Sequence, residues 1–495
     1  MWGARAFALG VAAAAISAVA AGAPAGETQW YRIVTGKGQA IGEASEETAA
    51  TPAGRVVTDR QEIDIEQDGD PSPLAPWVNT RAIQRLRQEI VRSEDAGGHV
   101  VMLRASSSTG DDWLRDEATI ANGAAAVTHT TKAETRTATI PLPDGVRFDD
   151  GDGLLAAWDT SAPLDFPDFD IGAMAVERVT VEALGPPDTA GQTLALRKRY
   201  AGGSLVAIAR LTLDRTRRIV AIAQPVFGAS NITMVASDEA AARASHAAYR
   251  SLPSVMMKSP YLIATSAREG HIRYRFGFRN GMRFEIPQTG EQRAAAAADG
   301  DAIVDICEGC GPGMPNDPAT LADALKPTAW LQSDAPEIVD IVAPVVRENL
   351  SETARMARLA KKARPYLGRL DFIGHYSALE TLHRHAGDCT EAAVLLAAFG
   401  RAAGIPTRVV NGLVYSREEY HGIANTWMPH SWVLAYVDGR WKSFDAALDV
   451  FDSTHIALTI GDGDARSVSA GSVLAGLLTW DGMAEVRARP ATASR

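Results

Sequence analysis

Short runs of alternating hydrophobic and polar residues recur through the first 300 positions, and this period of two is typical of β-strands. The run from His271 to Phe276 alternates cleanly. Two similar runs between Trp30 and Gly42 flank Gly36-Lys37-Gly38, which predicts a hairpin. We therefore predict a mainly antiparallel β region over residues 26–300.

Two stretches within this region carry helical patterns instead. Thr80 to Arg92 has apolar residues at helical spacing, and Glu239 to Tyr249 is rich in alanine, so each predicts one helix. Residues 288–300, with a run of alanines from Ala294 among polar residues, are interpreted as a linker. Residues 301–324 are predicted to extend that linker and contain a Cys-x-x-Cys loop.

Beyond residue 325 the pattern becomes helical and then returns to strands, which predicts an α+β domain over 325–495. The expected helix caps are Ser333 or Asp334 for the first helix and Ser351 for the second, which Pro365 should end. The elements predicted after these are a helix at 377–385, a helix from Cys389, and strands at 407–414, 430–437 and 441–444.

The length and net charge of the chain limit which kinds of protein it can be. A chain of 495 residues is too long for one ordinary core, and its formal net charge of -11 argues against nucleic acid as the main partner. Residues 1–25 have a positive start, an apolar alanine-rich stretch and small residues before a polar segment, as a secretory signal peptide does. The expectation is a periplasmic or secreted protein with no membrane span in its mature form.

Three cysteines leave one without a partner. Cys307 and Cys310 suit a local disulfide in an oxidising compartment, although free thiols and a metal or redox site remain alternatives. A zinc site would need two more ligands, and no nearby Cys or His pair supplies them. Cys389 is then the unpaired thiol.

Cys389 follows Asp388 in an Asp-x-x-Glu helix start, where Asp388 is the expected N-cap and Glu391 completes a capping box. A thiol at a helix N-terminus lies near partial positive charge and unsatisfied N–H groups. Both favour the nucleophilic thiolate and could hold an oxyanion. A buried structural cysteine is the alternative.

A predicted hairpin places a histidine near a carboxylate. The strand from His430 runs into Asp438-Gly439, which makes a tight turn, and the return strand ends at Asp445. His430 and Asp445 are then nearly opposite, about two residues out of register, within reach across the pair. Such a carboxylate can orient an imidazole.

The segments GDCTEAAVLLAAFGRAAGIPTRVVNGLVY (387–415) and HSWVLAYVDGRWKSFDA (430–446) resemble the core of bacterial transglutaminase-like proteins, whose fold is related to papain-type thiol peptidases. The resemblance covers roughly residues 325–460. It implies Cys389 as nucleophile, His430 as general base and acid, and Asp445 as the residue that orients His430.

Three departures accompany the resemblance. Asp445-Ala446-Ala447 stands where the family often has Asp-Pro-Thr, and Leu434 where it often has glutamate. No clear counterpart exists for the aromatic side chain that helps hold the oxyanion in animal enzymes; Tyr376 and Trp427 are the candidates.

The resulting hypothesis is an exported thiol-dependent enzyme that acts on peptide or protein amides, including cell-wall peptides, by hydrolysis or by amine transfer. No cofactor and no metal are expected. The alternative is a non-catalytic binding or scaffold protein in which the transglutaminase-like domain serves as a cleft.

Overall fold

The computed structural model describes residue 26 and residues 28–72, 75–109, 112–132, 135–149, 151–201, 204–226, 230–250, 257–279, 282–370, 375–417, 424–448 and 450–487. The predicted signal peptide, residues 1–25, lies outside these ranges. So does His421.

Antiparallel strands dominate the first 250 residues, as predicted. The strands are β1 Thr28–Thr35, β2 Ala40–Thr51, β3 Gly54–Ser72, β4 Ala75–Asp95, β5 Val100–Thr109, β6 Asp112–Ala121, β7 Ala124–Thr131, β8 Thr135–Pro141, β9 Leu164–Asp170, β10 Ala175–Ala183, β11 Thr193–Ala201, β12 Ser204–Leu213, β13 Ile219–Val226, β14 Ser230–Ser237 and β15 Tyr249–Arg250. Two short helices accompany them, α1 Asp152–Ala157 and α2 Glu239–Ala242.

These strands form one large sheet. Within the described ranges its order is β8-β7-β6-β5-β4-β3-β2-β1-β14-β13-β12-β11-β10-β9, and β15 pairs with β3. Neighbours in this order are antiparallel, so two successive meanders are joined where β1 pairs with β14. The hairpin predicted around Gly36-Lys37-Gly38 is confirmed by the pairing of Val34 with Ala40.

The helix predicted at 80–92 is wrong, because this stretch lies in strand β4. Leu86 is 1% exposed whereas Ile83 is 68% exposed, so the apolar residues that suggested one helical face do not share a buried face. On the outer side Arg85 and Arg87 make ion pairs with acidic residues of β3. Cross-strand pairing of this kind overrides a weak helical pattern.

The helix predicted at 239–249 is also mostly wrong. Only α2 is helical, because the backbone N–H of Ala247 donates to Ala40 O and Tyr249 joins β3.

Strands and helices mix in the second half of the chain. Its strands are β16 Met257–Lys258, β17 Ile272–Phe278, β18 Gln292–Ala296, β19 Ala302–Ile306, β20 Arg369–Leu370, β21 Ala386–Gly387, β22 Thr407–Ser416, β23 Thr426–Val437, β24 Arg440–Phe444, β25 Ile456–Gly461 and β26 Leu478–Glu485. Its helices are α3 Thr265–Arg268, α4 Pro318–Asp323, α5 Pro336–Val346, α6 Glu352–Ala363, α7 Ala378–Arg384, α8 Cys389–Ala402 and α9 Ala465–Leu477, with a 3-10 turn at Arg364–Leu367.

Helix caps follow the sequence in part. Ser351 accepts a hydrogen bond from Ala354 N and caps α6 as predicted. Helix α5 begins after Ala335, which makes no side-chain cap, so Ser333 and Asp334 do not cap it. Pro336 occupies its first turn, where a missing N–H costs nothing.

The predicted linker at 288–300 instead contains β18. Its alanines pair with β19, Ala294 lying opposite Val304, in a four-stranded sheet ordered β18-β19-β17-β26. Because β26 comes from the C-terminal end of the chain, the boundary predicted at residue 300 passes between strands of one sheet.

A separate five-stranded sheet packs against the helices. Its order is β16-β23-β22-β25, and β24 pairs with β23. A hydrophobic core joins α5, α6 and α8 to one face of this sheet; its members include Val342, Leu359, Leu395, Val409 and Val433. Helices packed on an antiparallel sheet confirm the α+β prediction. No helix in the described part of the chain is long and apolar enough to cross a membrane.

The large N-terminal sheet contacts this domain directly. Arg466 of α9 forms ion pairs with Asp170 and Glu177 of the sheet. Thr131 Oγ1 donates to Glu380 Oε1 at 2.7 Å, and Arg136 lies 4.3 Å above the Trp330 ring. The N-terminal sheet therefore packs against α9, α7 and the segment around Trp330.

Candidate active site

Cys389 is the first residue of α8, and the predicted capping box holds that helix end. The Asp388 carboxylate accepts from Thr390 N at 2.7 Å, while Glu391 Oε2 accepts from Asp388 N at 2.9 Å. Glu391 Oε1 also accepts from Tyr376 N at 3.1 Å. A Cβ at Gly387 would lie 2.5 Å from Glu391 Cβ, so only glycine fits before the cap.

The hairpin that carries His430 and Asp445 forms as predicted. Asp438 and Gly439 have φ values of 50° and 80°, as a two-residue hairpin turn requires. Val433 pairs with Phe444, so Asp445 leaves the strand just beyond the last pair, two residues out of register with His430. His430 Nε2 lies 2.6 Å from Asp445 Oδ2, and both side chains are buried.

Backbone groups fix the Asp445 carboxylate. Its Oδ1 accepts from Ala447 N at 2.7 Å and from Leu448 N at 2.9 Å. Backbone donors supply both bonds, so alanines in place of the family's Pro-Thr leave the carboxylate held. Burial alone would raise the pKa of Asp445, but the charges and hydrogen bonds of His430 and His455 bring it well below its usual range.

The Cys389 thiol lies against the strand that carries His430. It accepts a hydrogen bond from the backbone N–H of Ser431, the next residue along β23. Cys389 as a whole is 9% exposed. The structure thus brings His430 and Asp445 into contact and sets Cys389 beside the same strand; the catalytic roles of the three residues stay predictions.

Burial raises the pKa of the Cys389 thiol well above its ordinary value, and the charge of the Asp388 carboxyl raises it further. The backbone N–H of Ser431 lowers this pKa, but by less. The sequence interpretation expected the helix N-terminus to favour the thiolate. The structure adds a buried carboxyl at the N-cap, which opposes that effect.

His455 completes the site, and the sequence interpretation missed it. Its Nε2 lies 3.2 Å from Asp445 Oδ2, and its Nδ1 lies 3.3 Å from Asp452 Oδ1. Burial alone would lower the pKa of His455, but hydrogen bonds and charges of Asp445 and Asp452 raise it to about 9. No spacing rule links His455 to Asp445, so the sequence carried no signal for this contact.

Of the two aromatic candidates, one lies near the predicted nucleophile. Tyr376 is buried beside the start of α8, through its backbone bond to Glu391. Trp427 packs in a different core, 4.6 Å from the Trp480 ring and 5.8 Å from the Tyr274 ring.

Two side-chain groups among the described residues converge as metal ligands do. They are His430 with Asp445 and His455, and His271 with Cys307 and Cys310. In the first group the carboxylate already binds both imidazoles, so its atoms are engaged with one another. His383 and His385 join neither group; His383 pairs with Glu337 at the surface.

Comparisons with known proteins agree with the resemblance. Residues 340–446 match the transglutaminase-like superfamily. An uncharacterized protein of Mycobacterium leprae is 29% identical over 147 residues, which are 28% of this chain and 50% of that protein, so the match spans half the length of the relative.

Three solved structures show partial similarity to this chain. A candidate cysteine protease of Cytophaga hutchinsonii is 16% identical, with a TM-score of 0.26 over 44% of this chain and 86% of its own. The periplasmic domain of TgpA from Pseudomonas aeruginosa, bound to ethylmercury, is 15% identical, with a TM-score of 0.26 over 39% and 75%. A beta-barrel-like protein of Brucella abortus is 14% identical, with a TM-score of 0.31 over 43% and 95%. The family match over residues 340–446 identifies a transglutaminase-like domain in the C-terminal part of the chain. The helices packed on an antiparallel sheet give that part its α+β architecture.

Proposed function

We propose that this chain is an exported thiol-dependent enzyme that transfers the acyl group of a peptide or protein amide to water or to an amine. The observation that carries the proposal is the 2.6 Å contact of His430 Nε2 with Asp445, next to the Ser431 N–H that binds the Cys389 thiol. A nucleophile, a base and a group that orients the base are the parts that covalent acyl transfer needs. Export is proposed from the pattern of residues 1–25.

The first step moves a proton. Asp445 holds His430 through Nε2. The proposal assigns to Nδ1 the proton of Cys389, which it takes as the sulfur attacks the amide carbon. Because burial raises the pKa of the thiol, the proposal places this proton transfer together with the attack on the bound substrate. The imidazolium that forms is stabilised by the Asp445 carboxylate.

The attack creates a negative oxygen on the amide carbon. Asp388 already accepts from the N–H groups of Thr390 and Glu391, so the proposal assigns this oxyanion to the N–H of Cys389 itself. His430 then gives its proton to the leaving amine, and a thioester remains. Water or a second amine, deprotonated by His430, attacks the thioester and frees the thiol.

The low exposure of Cys389 favours the alternative, a binding protein that uses the domain as a cleft. The two functions differ in whether a thioester forms. The chain would be incubated with a peptide library, with and without a primary amine, and analysed by mass spectrometry. Cleavage, deamidation or amine addition each identifies one reaction.

Four chains make this test decisive: the parent, Cys389→Ser, His430→Ala and His383→Ala. His383 is an exposed histidine paired with Glu337, and serves as the matched control. We expect Cys389→Ser and His430→Ala to lose product formation by at least about a thousandfold, and His383→Ala to keep it. If the parent forms no product and no thioester that hydroxylamine can trap, or if His430→Ala matches the parent, the enzyme proposal fails.

A further inference from the structure

His271 lies opposite the Cys-x-x-Cys loop. Ile272 of β17 pairs with Ile306 of β19 in antiparallel register. The next residues outward, His271 and Cys307, therefore lie opposite each other at one end of the sheet. One ring nitrogen of His271 and the sulfurs of Cys307 and Cys310 all lie within 4.8 Å of one another. The third ligand that the sequence did not supply therefore comes from the residue just before β17, 36 positions earlier in the chain than Cys307.

The loop that carries the two cysteines is tightly held. Cys310 N donates to Cys307 O at 3.4 Å, and Gly309 adopts the left-handed φ of 68° that closes this turn. Cys307 N donates to Glu291 O at 3.1 Å, and a Cβ on Gly311 would lie 2.0 Å from Thr289 O. The backbone thus presents both side chains from one short turn, their Cα atoms 5.5 Å apart.

Asp305 orients the imidazole. His271 Nε2 lies 2.7 Å from Asp305 Oδ1, and Arg273 binds both oxygens of the same carboxylate at 2.9 Å. An ionised carboxylate can only accept, so Nε2 donates to it, and in the neutral tautomer that this bond selects Nδ1 carries the lone pair. A carboxylate behind a histidine in this way is the usual support of a metal-ligating imidazole.

We propose that the dithiol form of this loop binds a thiophilic divalent ion of the Zn²⁺ class through Cys307 Sγ, Cys310 Sγ and His271 Nδ1, with solvent as the fourth ligand. Two sulfurs and one imidazole select such an ion over Mg²⁺ or Ca²⁺, which prefer oxygen. Two thiolates neutralise its charge.

The disulfide and the metal complex exclude each other. The two sulfurs are bonded in the structure, so metal binding first requires a dithiol or phosphine reductant. The reductant gives two electrons, the S–S bond breaks, and each sulfur takes a proton. The metal then displaces both protons to solvent and forms two metal–sulfur bonds and one metal–nitrogen bond. Cys389 takes no part, and the proposal stands apart from the proposed acyl-transfer function.

The test uses the whole chain with Cys389→Ser, in which Cys307 and Cys310 are the remaining cysteines. The protein is reduced with a phosphine without oxygen and titrated with Co²⁺, then with Zn²⁺. We expect one Co²⁺ per chain with the visible spectrum of a tetrahedral thiolate site, which Zn²⁺ abolishes. The unreduced chain should give no such spectrum.

Variants in the same background identify the ligands. Cys310→Ser should remove the tetrahedral spectrum, and His271→Ala and Asp305→Asn should each weaken Zn²⁺ binding by about tenfold or more. His383→Ala should bind as its parent does, and circular dichroism should show that each variant folds. The proposal is overturned if the reduced chain gives no tetrahedral spectrum, if the unreduced chain binds equally well, or if His271→Ala keeps its parent's affinity.

Discussion

Asp445 Oδ2 is shared by two histidines: His430 Nε2 lies 2.6 Å from it, and His455 Nε2 lies 3.2 Å from it. Asp452 contacts the other side of His455 at 3.3 Å. The side chains of His430, Asp445, His455 and Asp452 therefore form a row of alternating basic and acidic groups that begins at the proposed base. His455 acts on His430 through Asp445, which makes it a positioning residue within the proposed function.

Replacing His455 with Gln should lower kcat/KM. Hydrogen bonds to charged groups contribute about 1.5 to 3 kcal/mol, so the expected loss is about ten- to a hundredfold. His455 is charged below its pKa of about 9 and neutral above it, so the loss in kcat/KM should be largest below pH 9 and should shrink as pH rises through that value. Rates of the parent and His455→Gln measured from pH 6 to 10 would show this; a ratio of rates that does not change with pH would mean that His455 matters only for packing.

His455 should also make folding depend on pH. Its pKa is raised from 6.5 to about 9 in the folded chain, so folding favours the protonated form. The stabilisation is complete below pH 6.5 and is lost as pH rises through 9, with a size on the order of 3 kcal/mol. Urea unfolding of the parent and His455→Gln at pH 6 and pH 9.5 checks this. The difference between the two chains should shrink at high pH; a constant difference would contradict it.

Labelling of Cys389 by iodoacetamide should increase with pH. Only the thiolate reacts, and burial beside Asp388 raises the pKa of this thiol above its ordinary value of 9.0. We therefore expect a rate that climbs from pH 6 to pH 9 without a plateau and stays below that of a cysteine in a short peptide. The rate is followed by the mass of the peptide that contains Cys389. A plateau near neutral pH would show that the resting site holds a thiolate.

Glu391 should be important for stability. Its two oxygens accept from the backbone N–H groups of Asp388 and Tyr376, and its residue is 0% exposed. Glu391→Ala leaves two buried donors without acceptors, which costs about 1 to 3 kcal/mol each. Glu337→Ala, an exposed glutamate in the first turn of α5, is the control and should cost less than about 0.5 kcal/mol. Urea unfolding of both variants decides; equal losses would refute this role.

Strand β4 offers a test of the fold itself. Leu86 is buried and Ile83 is exposed, although a helix would place both on one face. Leu86→Ala should cost about 2 to 5 kcal/mol, whereas Ile83→Ala should cost less than about 0.5 kcal/mol. Thermal unfolding of the two variants measures the difference. Similar losses would favour the helix that the sequence suggested.

Local features were predictable from the sequence because the residues that determine them are close along the chain. The cap of α8 depends on Asp388 and Glu391, three positions apart, and the hairpin turn depends on Asp438-Gly439. That turn sets the register, and the register brings His430 to Asp445. The motif around Cys389 was enough to indicate the transglutaminase-like domain.

Only the tertiary structure decided what distant segments do to one another. Residues 80–92 form a strand because β3 and β5 pair with it along both edges and the sheet buries Leu86. The tertiary structure also brings His455 into contact with Asp445 and places His271 beside Cys307 and Cys310. It buries the Cys389 thiol near carboxyl groups. Sequence period and spacing report which face of an element is apolar, but the contacts and burial that set a side chain's charge depend on how separate elements pack.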